Sequence, residues 1–366
     1  MSGPAAGLAA SKAPPFLLPG EHFAAALAFL VLGTIGATVI APEIAAGAFP
    51  SPRVVAVTHL FTLGWITTSI MGALYQFLPV ALGEPIRSAR AAHAGFWLYV
   101  PGVAAFVAGL LAGSATLMAA GVIPLAAGVL VFVGNLGATL RRAARRDLTW
   151  WALAGADLYL LVTLVLGLAL AGNLRGGYLG GSRLLAVGTH LHVALGGWVL
   201  LVMVGVAHRL LPMFLLSHGA GDRYARAAVA LLGAGAGVLA VGHHGPPIVS
   251  LWLPAILLGS GLIAFLLQAG SFYRHRHRPT LDPGMRLAAA ALGVLAVGVA
   301  LAGPAMLTGG RLHLATTYVL VLILGLSLFV AAHYYKIIPF LVWYHRFGPL
   351  AGKRKAPSVS ELFSAR

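Results

Sequence analysis

Apolar runs of about 20 residues recur along the whole of this 366-residue chain, and that is the length a helix needs to cross roughly 30 Å of hydrocarbon. Ten runs are readable, at roughly 22–42, 54–81, 92–113, 115–138, 150–172, 184–216, 225–243, 248–271, 285–308 and 313–343. The core of a bilayer has no water to satisfy backbone amides, so a spanning segment is a helix or a strand of a closed barrel. Barrel strands need only about 9–11 residues, which excludes them here. The expected fold is therefore all-α: a polytopic membrane bundle of about ten transmembrane helices. A composition of 60% hydrophobic and 9% charged residues rules out an ordinary soluble domain. The expected organisation is a tail over 1–21, one transmembrane domain over 22–345 and a basic tail over 346–366. The segment before the first run has no basic stretch followed by a compact apolar one, so no cleaved signal peptide is expected.

A net charge of +16 could suggest nucleic acid, but its distribution points elsewhere. Four of the 24 Lys and Arg, namely Arg53, Arg175, Arg183 and Arg311, fall beside the connections that follow odd-numbered runs. The other 20 sit at the opposite ends of the runs or in the two tails. Excess positive charge marks the cytoplasmic side. The chain is thus expected to be multi-pass in a bacterial-type cytoplasmic (inner) membrane with both termini in the cytoplasm. Its basic residues serve topology and lipid contact rather than nucleic acid.

The second and sixth runs repeat each other. His59, Gly64, Trp65, Gly72, Leu78 and Pro79 match His192, Gly197, Trp198, Gly205, Leu211 and Pro212 at identical spacing. The tenth run is a looser copy, with His313 early and Pro339 late. Internal pseudo-repeats of this kind are common in transport and redox membrane folds. With even-numbered helices running inward, His59, His190, His192 and His313 lie near the outer surface. The seventh helix runs outward and ends in His243-His244. Six imidazoles are therefore expected in one slab of the membrane, where a histidine is costly and marks function. With no cysteine in the chain, thiolate haem ligation, iron–sulfur clusters and thiolate copper centres are excluded, and imidazole is the main metal ligand left.

These positions resemble subunit I of the haem–copper oxidases, a superfamily that includes the nitric oxide reductases; the chain looks like a divergent, shortened relative over residues 22–345. The resemblance implies a low-spin haem ligand at His59, a copper ligand at His190 or His192, a copper pair at His243-His244, and a haem ligand at His313. It implies haem b, copper, and oxidoreduction in a respiratory chain, with reduction of a small gas such as O2 or NO. Electrons would come from a quinol or a periplasmic cytochrome, and partner subunits are expected. The chain departs from the family where the tenth helix reads Arg311-Leu312-His313 in place of His-x-His. The His-x-His lies instead on the sixth helix, as His190-Leu191-His192, with no tyrosine four residues on.

A bis-imidazole haem needs two histidines at equal depth on facing helices. The family pattern pairs His59 with His313, and the repeat symmetry pairs His59 with His192. His190 and His192 project about 200° apart on a helix, so they serve different pockets. His243, His244 and one of these two would form a three-imidazole site that suits copper and equally zinc. Asp157 falls inside the fifth run and reads either as the start of a proton path or as a partner of Arg145 or Arg146. His208 and His333, at the inner ends of their helices, are expected to anchor the interface. Beside the oxidoreductase stand two other classes: a non-catalytic haem or copper carrier, sensor or assembly protein, and a haem-free structural relative.

Overall fold

In the computed structural model, which describes residues 14–180, 183–242, 245–307, 312–350, 357 and 359–362, ten helices are long and apolar enough to cross a membrane. They are α1 (Leu17–Val39), α2 (Pro52–Leu82), α3 (Ala89–Leu111), α4 (Ala115–Arg142), α5 (Leu148–Leu174), α6 (Arg183–Leu215), α7 (Arg223–Val241), α8 (Ile248–Arg274), α9 (Pro283–Leu307) and α10 (His313–Arg346). The chain is an all-α polytopic membrane protein in contact with the lipid bilayer. Helix α1 begins before the expected residue 22 and takes in Glu21. That carboxylate is tolerated because His93 Nδ1 of α3 stands 2.7 Å from its Oε1.

Several helix starts follow from the sequence directly. Ser88 and Ser114 accept from the amides of Ala91 and Leu117, and Asp147 accepts from that of Trp150. Each cap satisfies one of the orphan donors of a first turn. Proline opens α2 at Pro52, where its missing N–H costs nothing. Gly83 ends α2 in the left-handed region, φ 70°, which glycine enters without strain.

Hairpin neighbours pack most closely, and small residues permit it. A Cβ built on Gly121 of α4 would lie 2.2 Å from the amide nitrogen of Phe106 on α3, so only glycine fits. In lipid such close approach replaces the hydrophobic drive that water supplies to soluble bundles.

The repeat is visible in the backbone and the packing. In α2 the stretch Leu60–Thr67 is π-helical, starting directly after His59. In α6 the stretch Val193–Leu200 does the same directly after His192. A π stretch leaves carbonyls without their usual partners, and such stretches are frequent at functional sites. The Leu63 carbonyl is taken up by the Tyr99 hydroxyl at 3.0 Å and by Thr68 Oγ1 at 3.0 Å. Matched glycines receive matched neighbours: Gly64 meets Phe29 of α1, and Gly197 meets Tyr159 of α5. Lower on the same helices Gly72 meets His22, and Gly205 meets Ala152. Helix α1 therefore lies on α2 as α5 lies on α6. Trp198 of α6 reaches α2 through Thr67 Oγ1 at 3.3 Å, and Trp65 of α2 stacks on Tyr334 of α10, centroids 5.2 Å apart. Buried tryptophans thus tie the three related helices together.

Candidate metal centre

The π turns place His59 and His192 at corresponding points, yet the two rings face different partners. His59 Nδ1 lies 2.7 Å from the carbonyl of Val55. A carbonyl only accepts, so Nδ1 carries the proton and Nε2 is left as a lone pair, the form that ligates metals. Across from it is the His190 ring, centroid to centroid 6.4 Å and 27° between planes. His190 Nδ1 is buried and has no hydrogen-bond partner. An orphaned nitrogen in an apolar site costs on the order of 1–3 kcal/mol, and a bound metal removes that cost. Phe106 of α3 closes one side of the His59 ring at 5.2 Å, edge to face.

Two imidazoles sharing one metal need about 2.0 Å for each metal–nitrogen bond and about 1.1 Å from nitrogen to ring centre, or roughly 6.2 Å between centroids. The observed 6.4 Å matches that spacing. The pair lines a cavity of about 220 Å³ between α2, α3, α4, α5 and α6. Its walls are mostly leucine and valine, with Thr163, whose Oγ1 is also buried and unpartnered. Arg183 stands among the lining residues at the start of α6. Gly167 of α5 makes room for the His190 ring: a Cβ there would lie 3.1 Å from Cε1. Sequence reasoning passed over Gly167 and Thr163 because nothing in their local pattern marks them. Only the packing of α5 against α6 brings them to the histidine.

His192 is committed elsewhere. Its Nδ1 bonds the Gly188 carbonyl at 2.8 Å. Its Nε2 therefore accepts from the Tyr318 hydroxyl of α10 at 3.1 Å, with the two rings stacked at 5.8 Å. The two histidines of the His-x-His serve different pockets, as their angular separation requires. His313 is exposed at the first turn of α10, and the ring neighbours described for His59 are Phe106 and His190. The structure therefore brings His59 to His190 and leaves His313 and His192 outside that pair. His243 and His244 lie outside the described residues. Among the described residues, no three of His, Asp or Glu converge in a way that could hold an ion.

Asp157 is buried in α5 with Oδ1 unpartnered, and the described ion pairs join it to neither Arg145 nor Arg146. Glu43 is engaged away from the histidines, by Arg53 at 2.6 Å and Ser51 at 3.0 Å. His333 differs from the expected interfacial anchor. It is buried, 6% exposed, with Nδ1 on the Phe329 carbonyl and Nε2 unpartnered. Compared with known proteins, the chain matches no family model and no curated sequence.

Proposed function

We propose that this protein is an integral-membrane metalloprotein that holds haem b between His59 and His190 and passes electrons within the membrane. The observation that carries the reading is the pair of imidazoles at 6.4 Å in a buried cavity. His59 offers a lone pair fixed by Val55, and His190 an orphaned nitrogen. Arg183 would neutralise an acidic edge of the cofactor from the cavity rim. A bis-imidazole iron so enclosed supplies one-electron chemistry at a saturated metal, which suits transfer rather than gas binding. The haem–copper oxidase resemblance supports the cofactor class. It pairs helices two and ten, however, whereas the reading here pairs α2 with α6. Placement in a bacterial-type inner membrane, with both termini cytoplasmic, rests on the charge asymmetry of the connections; a quinol or a periplasmic cytochrome would be the donor.

One observation favours a second reading. About 220 Å³ is below the roughly 300–1,000 Å³ of cofactor pockets, so a macrocycle enters only if lining leucines rotate outward. A single copper ion between two imidazoles needs no such change, and the protein would then be a copper carrier. Reduced-minus-oxidised spectra with iron, copper and zinc analysis on purified protein separate the readings. Haem bands with about one iron per chain support the first, about one copper without haem bands supports the second, and neither metal defeats both.

A further inference from the structure

A second and larger cavity, about 700 Å³, opens at the end of the bundle where α1 begins and α10 ends. It lies between α2, α6 and α10, with Phe23 of α1 on one wall. Its volume falls within the range of small-molecule sites. Val80, Met213, Tyr335 and Phe340 line it and are 56%, 54%, 46% and 38% exposed, so on a membrane-spanning bundle the cavity is open sideways to lipid. Arg278, Asp282 and Lys336 stand at its polar edge, with Lys336 Nζ 2.5 Å and Arg278 3.2 Å from Asp282 Oδ2. Both cations of this edge are thus already engaged by a carboxylate.

The interior chemistry is more specific. His333 Nδ1 donates to the Phe329 carbonyl at 2.8 Å, so in the neutral ring Nε2 is a buried acceptor, and it has no partner. Gln76 Oε1 on α2 is a second buried acceptor without a partner. Ser69 donates to the Trp65 carbonyl at 2.6 Å, so its contact with Tyr334 at 2.8 Å is donated by the tyrosine, whose own oxygen keeps a free lone pair. The wall therefore presents acceptors that wait for donors. An apolar lipid tail would leave them unsatisfied, and a phosphate or carboxylate head would bring more acceptors.

We propose that this cavity binds the hydroquinone head of a membrane quinol, whose hydroxyls donate to His333 Nε2 and Gln76 Oε1 while its isoprenoid tail leaves between Val80 and Met213 into lipid. The oxidised quinone has no hydroxyl to donate, so the site discriminates between redox states of the same molecule. Binding is independent of the His59–His190 metal reading and is measured without electron transfer. The experiment is equilibrium binding of radiolabelled decylubiquinol and decylubiquinone, each under argon, to the full chain in phosphatidylcholine nanodiscs, with empty nanodiscs as background. The expected result is about tenfold or tighter binding of the reduced form. His333→Phe is expected to weaken the reduced form about tenfold and leave the oxidised form unchanged, and Gln76→Leu to act in the same direction. Equal or tighter binding of the quinone, or binding no better than empty discs, overturns the proposal, as does full reduced-form affinity in a monodisperse His333→Phe protein. If a variant does not fold, the preference of the wild-type protein decides.

Discussion

Alanine at Gly121 should loosen the α3–α4 hairpin, while alanine at Gly134, on the same helix, should not. A Cβ at Gly121 would sit 2.2 Å from Phe106 N and 2.7 Å from both Ala105 C and Phe106 Cα. These are backbone atoms and cannot turn aside. Restoring the 3.4 Å of ordinary contact requires the two helices to part by roughly 1.2 Å at that point. A gap of about 0.5–1 Å already forfeits a quarter to a half of each dispersion contact, so the neighbouring crossings at Gly102, Gly109 and Gly128 loosen together. The expected cost is about 1–3 kcal/mol. At Gly134 a Cβ meets nothing within 4 Å, and replacing a helical glycine is expected to gain about 0.5–1 kcal/mol. Unfolding by SDS in mixed micelles, followed by tryptophan fluorescence, measures both variants against the parent. Equal stability of Gly121→Ala and Gly134→Ala would refute the claim that backbone contact at glycine holds this hairpin.

Further outcomes follow from the two cavities and the polar edge. Gly167→Leu should fill the space beside His190 and cut metal loading several-fold while leaving the yield of monodisperse protein unchanged, measured by metal analysis per chain. Tyr318→Phe removes the partner of His192 Nε2; it should cost about 1 kcal/mol of stability in SDS unfolding and leave metal content unchanged. Asp282 lies outside the membrane spans. Burial works against its charge, but Lys336, the Met285 amide and Arg278 prevail and hold its carboxyl below the usual carboxylate range. A depressed folded-state value stabilises the fold above the unfolded value of about 4 and is lost as pH falls below it. Stability should therefore decline in that acid window for the parent, and this component should be absent in Asp282→Asn, as read from detergent unfolding curves at stepped pH.

The fold was legible because apolar length is a one-dimensional signal: runs near 20 residues need no tertiary information to be read as spans. The pairing of His59 and Trp65 with His192 and Trp198 was equally legible, since exact spacing survives in the string, and both copies carry a π turn at that point. What the string lacked was the azimuth of each side chain. A π stretch rotates everything that follows it, so a regular helix does not give the direction in which His190 and His192 face. The meeting of His59 with His190 depends on Gly167 of α5, which lies far away in sequence. His333 read as an inner-end anchor because its position along α10 is visible, whereas its burial against Phe329 and Phe214 is a property of three helices at once.

The central claim is that one metal sits between His59 and His190. Its most direct measurement is bound iron or copper per chain in His59→Ala, His190→Ala, His192→Ala and His313→Ala, each purified as a monodisperse protein. Loss of the metal, and of any low-spin haem spectrum, is predicted in the first two alone. Full metal content in His190→Ala together with its loss in His313→Ala would contradict the account and return the ligand pair to α2 and α10.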